Sequence, residues 1–172
     1  MPKIIRNVKE NVIAASRKIL LEEGYRALTM RRVADQCSIA PATLYNYYPS
    51  KDVLTASVIL EDWLEKLYEA ESVCSVTDDC MEGLEAVYNG LKEFGGMYSS
   101  VWSQYGSTAN VSAHYHKVLL DQLCGIIGPM LERLDIKAEP SPVRFFAETL
   151  LYSSRQEESS FAAIRPFLNK LL

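Results

Sequence analysis

The feature that most constrains the fold is the stretch of residues 29–51. Its helix-capping and turn-forming residues predict two short helices joined by a tight turn. Thr29 is a good N-cap for the first helix, because its side chain can accept a hydrogen bond from a free backbone N–H. Ser38-Ile39 interrupts the apolar spacing and forms the turn. Pro41 then opens the second helix at its first position, where a missing N–H costs nothing. This order of elements is a helix-turn-helix.

The second of these helices is rich in side chains that can bind phosphate groups. Thr43, Tyr45 and Tyr47 offer hydroxyls at every second residue, and Lys51 adds a cation just beyond the helix. Hydroxyl and cationic side chains supply many of the contacts that proteins make to the DNA backbone. The stretch therefore predicts binding to double-stranded DNA.

The same residues resemble the DNA-binding domain of the TetR (tetracycline-repressor) family of bacterial regulators. The family hallmark is Thr-Leu-Tyr-x-Tyr/His-Phe-x-x-Lys, and residues 43–51 read Thr-Leu-Tyr-Asn-Tyr-Tyr-Pro-Ser-Lys. Glu23-Gly24-Tyr25 also fits the family, and the specific match covers about residues 8 to 58. Two positions depart from the pattern, because Ser38 stands where the turn often has Gly and Ala40 where a capping Ser is common.

The resemblance implies an all-α fold with two domains. Residues 1–50 would form a three-helix helix-turn-helix domain, and residues 51–172 a helical domain for ligand binding and dimerisation. It further implies a repressor that binds a near-palindromic operator as a homodimer and leaves it when a small-molecule inducer binds. The expected DNA-binding residues are Arg31, Pro41, Ala42, Thr43, Tyr45, Tyr47 and Lys51.

Among these residues, Arg31 matches a family position that can reach a base edge, whereas Arg32 matches one that faces outward. Pro41 and Ala42 carry no polar side-chain group for reading bases, so apolar contacts with thymine methyl groups are expected there.

The charge distribution supports the assignment of the DNA end. The chain has 172 residues and a net charge of −4, but residues 1–51 hold nine Lys and Arg against four Asp and Glu. That end carries +5 and the remaining 121 residues carry −9. Because DNA attracts cationic surfaces and repels anionic ones, the basic end is the one that would approach the duplex.

Helical periodicity extends along the whole chain, and no alternating β pattern or fixed repeat interrupts it. A first helix is predicted from about 5 to 23, and a helix from 50 to about 72 links the two domains. Gly95-Gly96 is expected to end the helix that follows Thr77. A short helix comes next, then a long one at about 108–134, kinked near Gly128-Pro129, and two final helices. The stretch from Lys137 to Pro142 is the only long loop expected.

The second domain is rich in aromatic residues, and most of these are expected in its core. By the resemblance, some would line a pocket for a small apolar or aromatic ligand, entered between the linking helix and the segment around Trp102. The candidates are Trp63, Phe94, Tyr98, Trp102 and Tyr115. The last two helices are apolar enough to be the dimerisation surface.

Other classes of protein find less support. No nucleophile elbow, phosphate loop, paired carboxylates or metal-ligand spacing indicates an enzyme, and no cofactor is expected. His114 and His116 lie two residues apart and would point to different sides of a helix, so no metal site is expected. A membrane-spanning run or signal peptide is not apparent, and a cytoplasmic location is expected.

Two alternatives stay open. The four cysteines are expected to be reduced core residues, with a thiol sensor built on Cys74 and Cys80 as the less favoured possibility. The whole chain could also be a helical ligand-binding or interaction module whose DNA recognition is weak or lost.

Overall fold

The computed structural model describes residues 7–105, 109–136 and 142–170, and for 103–105 and 109–115 the backbone alone. This part of the chain contains α-helices and one 3₁₀ turn at Tyr25–Ala27, with no strand, so the all-α class is confirmed. The helices are α1 (Val8–Glu23), α2 (Met30–Gln36), α3 (Pro41–Tyr47), α4 (Lys51–Cys74), α5 (Cys80–Met97), α6 (Ser99–Tyr105), α7 (Ala109–Arg133), α8 (Val143–Ser154) and α9 (Phe161–Leu168).

The chain forms two compact units. The N-terminal unit comprises Met1–Asp62 with Met97–Gly106, and the C-terminal unit comprises Trp63–Gly96 with Ser107–Leu172, over the residues described. The N-terminal unit thus extends beyond residue 50 into α4 and also contains α6. Its helices are α1 to α3, the first half of α4, and α6.

Local signals in the sequence set the bounds of the first helices. Gly24 ends α1 with a φ of 84°, and its N–H is bonded to the carbonyls of Ile19 and Leu20. The left-handed φ is why a glycine suits this position. Thr29 caps α2 as predicted, its hydroxyl oxygen accepting the Arg32 N–H at 3.2 Å.

The turn between α2 and α3 is closed in spite of the missing glycine. Ser38 adopts a φ of 54°, in the left-handed region that glycine enters at less cost. The N–H of Ile39 bonds to Ala34 O at 3.0 Å, which satisfies a carbonyl at the end of α2. Leu44 of α3 is fully buried and attaches that helix to the unit's core.

In the C-terminal unit, α5 begins where the sequence indicated but ends later. Asp79 Oδ1 accepts the N–H of Met81 at 2.8 Å and caps the helix. The prediction that Gly95-Gly96 ends it was wrong, because α5 continues to Met97. Both glycines are exposed, and a Cβ added at either would meet nothing within 4 Å. Their propensity cost, about 1 kcal/mol each, is smaller than the gain from burying the apolar face of α5.

The core of the C-terminal unit brings α5 and α7 close together at Gly83. A Cβ added there would lie 2.1 Å from Met130 Sδ, so any larger residue would require the Met130 side chain to move. Helix α7 continues past Pro129 to Arg133, and α8 contacts α7 through the core residues Phe146 and Leu150. A second loop, which the sequence did not predict, lies at 155–160 between α8 and α9. Of the predicted loop, residues 137–141 are outside the described part of the chain.

Candidate nucleic-acid interface

Helix α3 turns nearly all of its side chains outward. Its only buried residue is Leu44, which faces the core formed with α1 and α2. Tyr45 and Tyr47 are 51% and 42% exposed, although tyrosines are large and usually half-buried or more. Pro41 and Ala42 are exposed at the helix start, and Thr43 is half-buried. Five of the predicted DNA-binding residues therefore occupy this one short helix.

Lys51 follows as the first residue of α4, held in place by residues from elsewhere in the N-terminal unit. Its Nζ lies 3.8 Å from the centroid of the Tyr25 ring, a cation–π contact. Partial burial lowers the pKa of Lys51 from its ordinary value. The Tyr25 hydroxyl in turn donates to Asp52, and Ser50 Oγ accepts the Val53 N–H at the start of the helix.

The two arginines of α2 have different surroundings. Arg32 Nη1 donates to Glu23 Oε2 at 2.9 Å and also forms an ion pair with that carboxylate through Nη2. Arg31 is exposed and forms no ion pair with a side chain that the structure describes. Arg32 thus fastens α2 to the end of α1, while Arg31 keeps its guanidinium in solvent.

Two contributors to this surface were not singled out from the sequence. Lys9 of α1 places Nζ 5.9 Å from the centroid of the Tyr47 ring, which brings another cation to the exposed end of α3. Tyr25 supports Lys51 as described above. Tyr25 belongs to a segment that fits the family, but its contact with Lys51 joins residues 26 positions apart.

Within the same unit, a buried polar network joins α1 and α4 to Tyr98, the residue that precedes α6. Asp62 is 3% exposed and accepts a hydrogen bond from Arg17 Nε at 2.6 Å. Its other oxygen accepts the hydroxyl of the fully buried Tyr98, also at 2.6 Å. The hydrogen bond to Asp62 raises the pKa of Arg17, whereas burial is the main cause that raises the pKa of Tyr98. A buried carboxylate needs such partners, since an unpaired charge would be very costly there.

The predicted ligand-binding residues divide between the two units. In the C-terminal unit, the rings of Trp63 and Phe94 lie 5.2 Å apart, and Trp63 Nε1 donates to Gln122 Oε1 at 2.8 Å. Tyr98 and Trp102 belong to the N-terminal unit, with ring centroids 6.3 Å apart. The side chain of Tyr115 lies outside the described residues.

Over the described residues, the C-terminal unit has cavities beside α4, and the two best formed of them are not lined by the five predicted ligand-binding residues. One, of about 210 Å³, lies between the end of α4 and the second half of α7, near Cys74 and Arg133. The other, of about 150 Å³, lies between α4 and α5 near Lys66 and Glu93. Both are smaller than the usual pocket for a drug-sized ligand, about 300 Å³ or more.

The cysteines are free thiols: Cys74 and Cys80 are buried, and Cys37 and Cys124 are partly exposed. Burial raises the pKa of both Cys74 and Cys80 to about 11. Thiols in such surroundings are poor nucleophiles at neutral pH, because the thiolate is the reactive form. The geometry favours their role as core residues over that of a sensor.

Among the described residues, no three His, Cys, Asp or Glu side chains are grouped so as to hold a metal ion. His116 is exposed, and the side chain of His114 is not described. None of the described helices combines the length and the apolar character needed to span a bilayer.

Comparison with known proteins agrees with the helix-turn-helix. Residues 12–58 match the model of the bacterial regulatory proteins of the tetR family. The transcriptional regulator UidR of Escherichia coli K12 is 33% identical over 54 residues, which cover 31% of this chain and 28% of UidR. The repressor KstR of Mycobacterium tuberculosis H37Rv is 39% identical over 54 residues, which cover 31% of this chain and 24% of KstR. The match thus spans about a quarter of each relative's length.

Similarity of fold extends over most of the chain. A TetR-family regulator from Streptomyces coelicolor aligns with a TM-score of 0.66 at 16% identity, covering 96% of this chain and all of that one. FadR from Bacillus subtilis, solved in complex with stearoyl-CoA, aligns with a TM-score of 0.63 at 17% identity. The alignment covers 95% of this chain and 96% of the FadR chain. Fold and motif together define an all-α protein with an N-terminal helix-turn-helix domain. The helix-turn-helix segment is similar to the tetR family of bacterial regulatory proteins, and the relatives that match it are transcriptional regulators.

Proposed function

We propose that this chain is a ligand-responsive transcriptional repressor, which binds a near-palindromic operator as a homodimer and is released by a small-molecule inducer. The observation that carries the proposal is the outward face of α3, with Tyr45 and Tyr47 exposed and Lys51 held beside it. Its site of action would be the cytoplasm, where bacterial DNA lies.

The contacts to DNA would divide into two kinds. Thr43, Tyr45, Tyr47 and Lys51 would bind phosphates and fix the register of the domain on the duplex, without reading sequence. Arg31, which is exposed and has no ion pair with a described side chain, would read a base edge, guanine being its commonest partner. The ion-paired Arg32 would contribute structure instead.

A homodimer is proposed because one helix-turn-helix contacts only a few base pairs. Two of them, spaced about 34 Å apart or a multiple of that distance, give the specificity that an operator requires. Large apolar side chains on α8 and α9 are exposed in the single chain, namely Phe145, Tyr152 and Phe167. Exposed aromatic groups of this size are typical of an interface between protein chains.

The inducer is proposed to be small and apolar or aromatic, and to bind near Trp63 and Phe94. The Bacillus subtilis FadR structure contains stearoyl-CoA, so a fold of this kind accommodates a long apolar chain. In this chain Trp63 directly follows Asp62, the centre of the buried network in the N-terminal unit. A ligand that moves Trp63 would therefore also move the α4 residue that binds Arg17 and Tyr98.

Release from DNA requires that the ligand prefer the DNA-incompetent state. A full reversal of the two populations needs a preference of roughly 5.5 kcal/mol, because a ligand with equal affinity for both states shifts nothing.

The test is a gel shift with the promoter region beside the gene for this chain, repeated with each compound that changes Trp63 fluorescence in a screen. Trp102→Phe protein assigns the signal to Trp63. The proposal expects a retarded complex that at least one such compound dissociates. If every tight binder leaves DNA affinity unchanged, ligand control is absent.

A further inference from the structure

The loop between α8 and α9 presents three backbone carbonyls to one lysine of α5. Helix α8 ends at Ser154 without a basic residue in its last turn. The carbonyls at the C-terminal end of a helix are partly negative, so a nearby cation stabilises them. Arg155 follows α8 directly, and a second cation comes from α5, whose Lys92 contacts the loop.

Lys92 Nζ contacts three carbonyl oxygens of the loop. It lies 2.6 Å from Gln156 O, 3.3 Å from Glu157 O and 3.1 Å from Ser159 O. An ammonium group has three N–H donors and no acceptor, so this set of carbonyls matches its full hydrogen-bonding capacity. The loop backbone therefore closes around the side chain of Lys92.

Tyr88, one helical turn before Lys92, fastens the end of the same loop. Its hydroxyl donates to Ser159 O at 2.8 Å, and its ring centroid lies 5.8 Å from that of Phe161, the first residue of α9. Both rings are buried. Tyr88 and Lys92 thus fix where α8 stops and where α9 starts.

We propose that Lys92 and Tyr88 are positioning residues for the homodimer interface, holding α9 against α8 in the arrangement that a second copy of this chain recognises. The inference rests on the homodimer proposed above. Phe145 and Tyr152 of α8 and Phe167 of α9 lie on opposite sides of the loop and are all exposed. They can present a fixed surface to a second copy only if the loop holds a single conformation.

Sedimentation equilibrium of the full chain across a concentration series tests the proposal. Lys92→Met removes the ammonium and keeps most of the side-chain length, and it should raise the dimer dissociation constant about tenfold or more, since charge-assisted hydrogen bonds to the loop are lost. Lys92→Arg retains donors and should stay within about threefold of wild type. Tyr88→Phe, which keeps the ring contact with Phe161, should show a smaller loss than Lys92→Met.

Lys66→Met is the matched control. Lys66 is also held by oxygen acceptors of the C-terminal unit, but these are the carboxylates of Glu69 in α4 and Glu93 in α5 and belong to neither α8 nor α9. The control changes the net charge by the same amount and should leave the dissociation constant unchanged. Amide exchange at Phe161–Leu168, measured at a dilution where the chain is monomeric, should quicken in Lys92→Met and not in Lys66→Met, while α7 stays as in wild type.

The outcomes separate the two proposals. A wild-type chain that is monomeric throughout the series overturns the homodimer itself. A dimeric wild type that Lys92→Met and Tyr88→Phe leave unchanged overturns only the positioning role. Equal weakening by Lys92→Met and Lys66→Met also overturns it, because general destabilisation would then explain the loss.

Discussion

The Tyr98 hydroxyl donates a hydrogen bond to Asp62 Oδ2 at 2.6 Å, which joins the residue before α6 to α4 inside the N-terminal unit. Because Arg17 binds the other oxygen of Asp62, the same carboxylate also connects α1. Tyr98 thereby connects the start of α6 to the unit that carries the helix-turn-helix. Asp62 is the point at which a change in α4 would reach both neighbouring helices.

Asp62→Asn should destabilise the chain by about 1–3 kcal/mol, below the full cost of breaking a buried pair because Arg17 is partly exposed. The amide still accepts a hydrogen bond, but the Arg17 charge is no longer neutralised. Urea unfolding at pH 7 measures the change. Glu61→Gln, at the exposed neighbouring partner of Arg17 3.6 Å away, should change stability by less than about 0.5 kcal/mol. Equal effects of the two variants would show that Asp62 has no special role.

Lys51→Ala and Tyr45→Phe should weaken binding to all duplex sequences alike, because both residues are proposed to contact phosphates. For the lysine, the slope of log K against log salt concentration should fall by about one unit. Fluorescence anisotropy with labelled duplexes at several salt concentrations gives this slope. Lys170→Ala removes an exposed cation beyond α9 and serves as the control, with an unchanged slope expected. Affinities equal to wild type in both variants would remove Lys51 and Tyr45 from the interface.

Arg31→Ala should instead relax sequence preference. Losing a bidentate contact with guanine costs about 1–3 kcal/mol of discrimination at one base pair of each half-site. Selection of binding sequences from a random pool, done side by side for wild type and variant, identifies the position. Lys18→Ala on the surface of α1 is the matched charge control. A variant that selects the wild-type consensus would assign Arg31 to phosphate contact or to solvent.

Thiol labelling at pH 8 should distinguish the cysteines. Cys37 and Cys124 should react first, because Cys74 and Cys80 are buried and their pKa values are raised to about 11 from an ordinary 9.0. A raised thiol pKa contributes stability below pH 9 that is lost as pH rises toward 11, so the urea midpoint should decline over that window. For the labelling experiment, mass spectrometry of the labelled peptides gives the order in which the four cysteines react. Prompt labelling of Cys74 and Cys80, or a disulfide between them under mild oxidant, would revive the thiol-sensor alternative.

Much of the helix-turn-helix could be predicted because its signals are local. The Thr29 cap and Pro41 at the first position of α3 act over three or four residues, and the structure confirms both. The error at Gly95-Gly96 has the opposite origin. Local propensity indicated a break there, but the buried face of α5 outweighed it, and no local pattern reports that balance.

Contacts between residues that are distant in the chain could not be predicted from the sequence. Arg17 and Tyr98 lie 45 and 36 residues from Asp62, and periodicity gives a helix face without telling which helix it meets. The grouping of the five ligand-binding candidates was uncertain for the same reason, and the structure assigns four of them to two separate units. Nothing in the sequence indicates that Lys92 is more than an ordinary solvated lysine. Its three partners are backbone carbonyls, which leave no recognisable residue pattern.

The most direct measurement of the central claim is an anisotropy titration of wild-type chain against its own promoter duplex and a scrambled duplex, at about 0.15 M salt. Specific binding should be at least about a thousandfold tighter to the promoter, with two chains per operator. Equal, weak binding to both duplexes would contradict the account, and would leave a helical module whose DNA recognition has been lost.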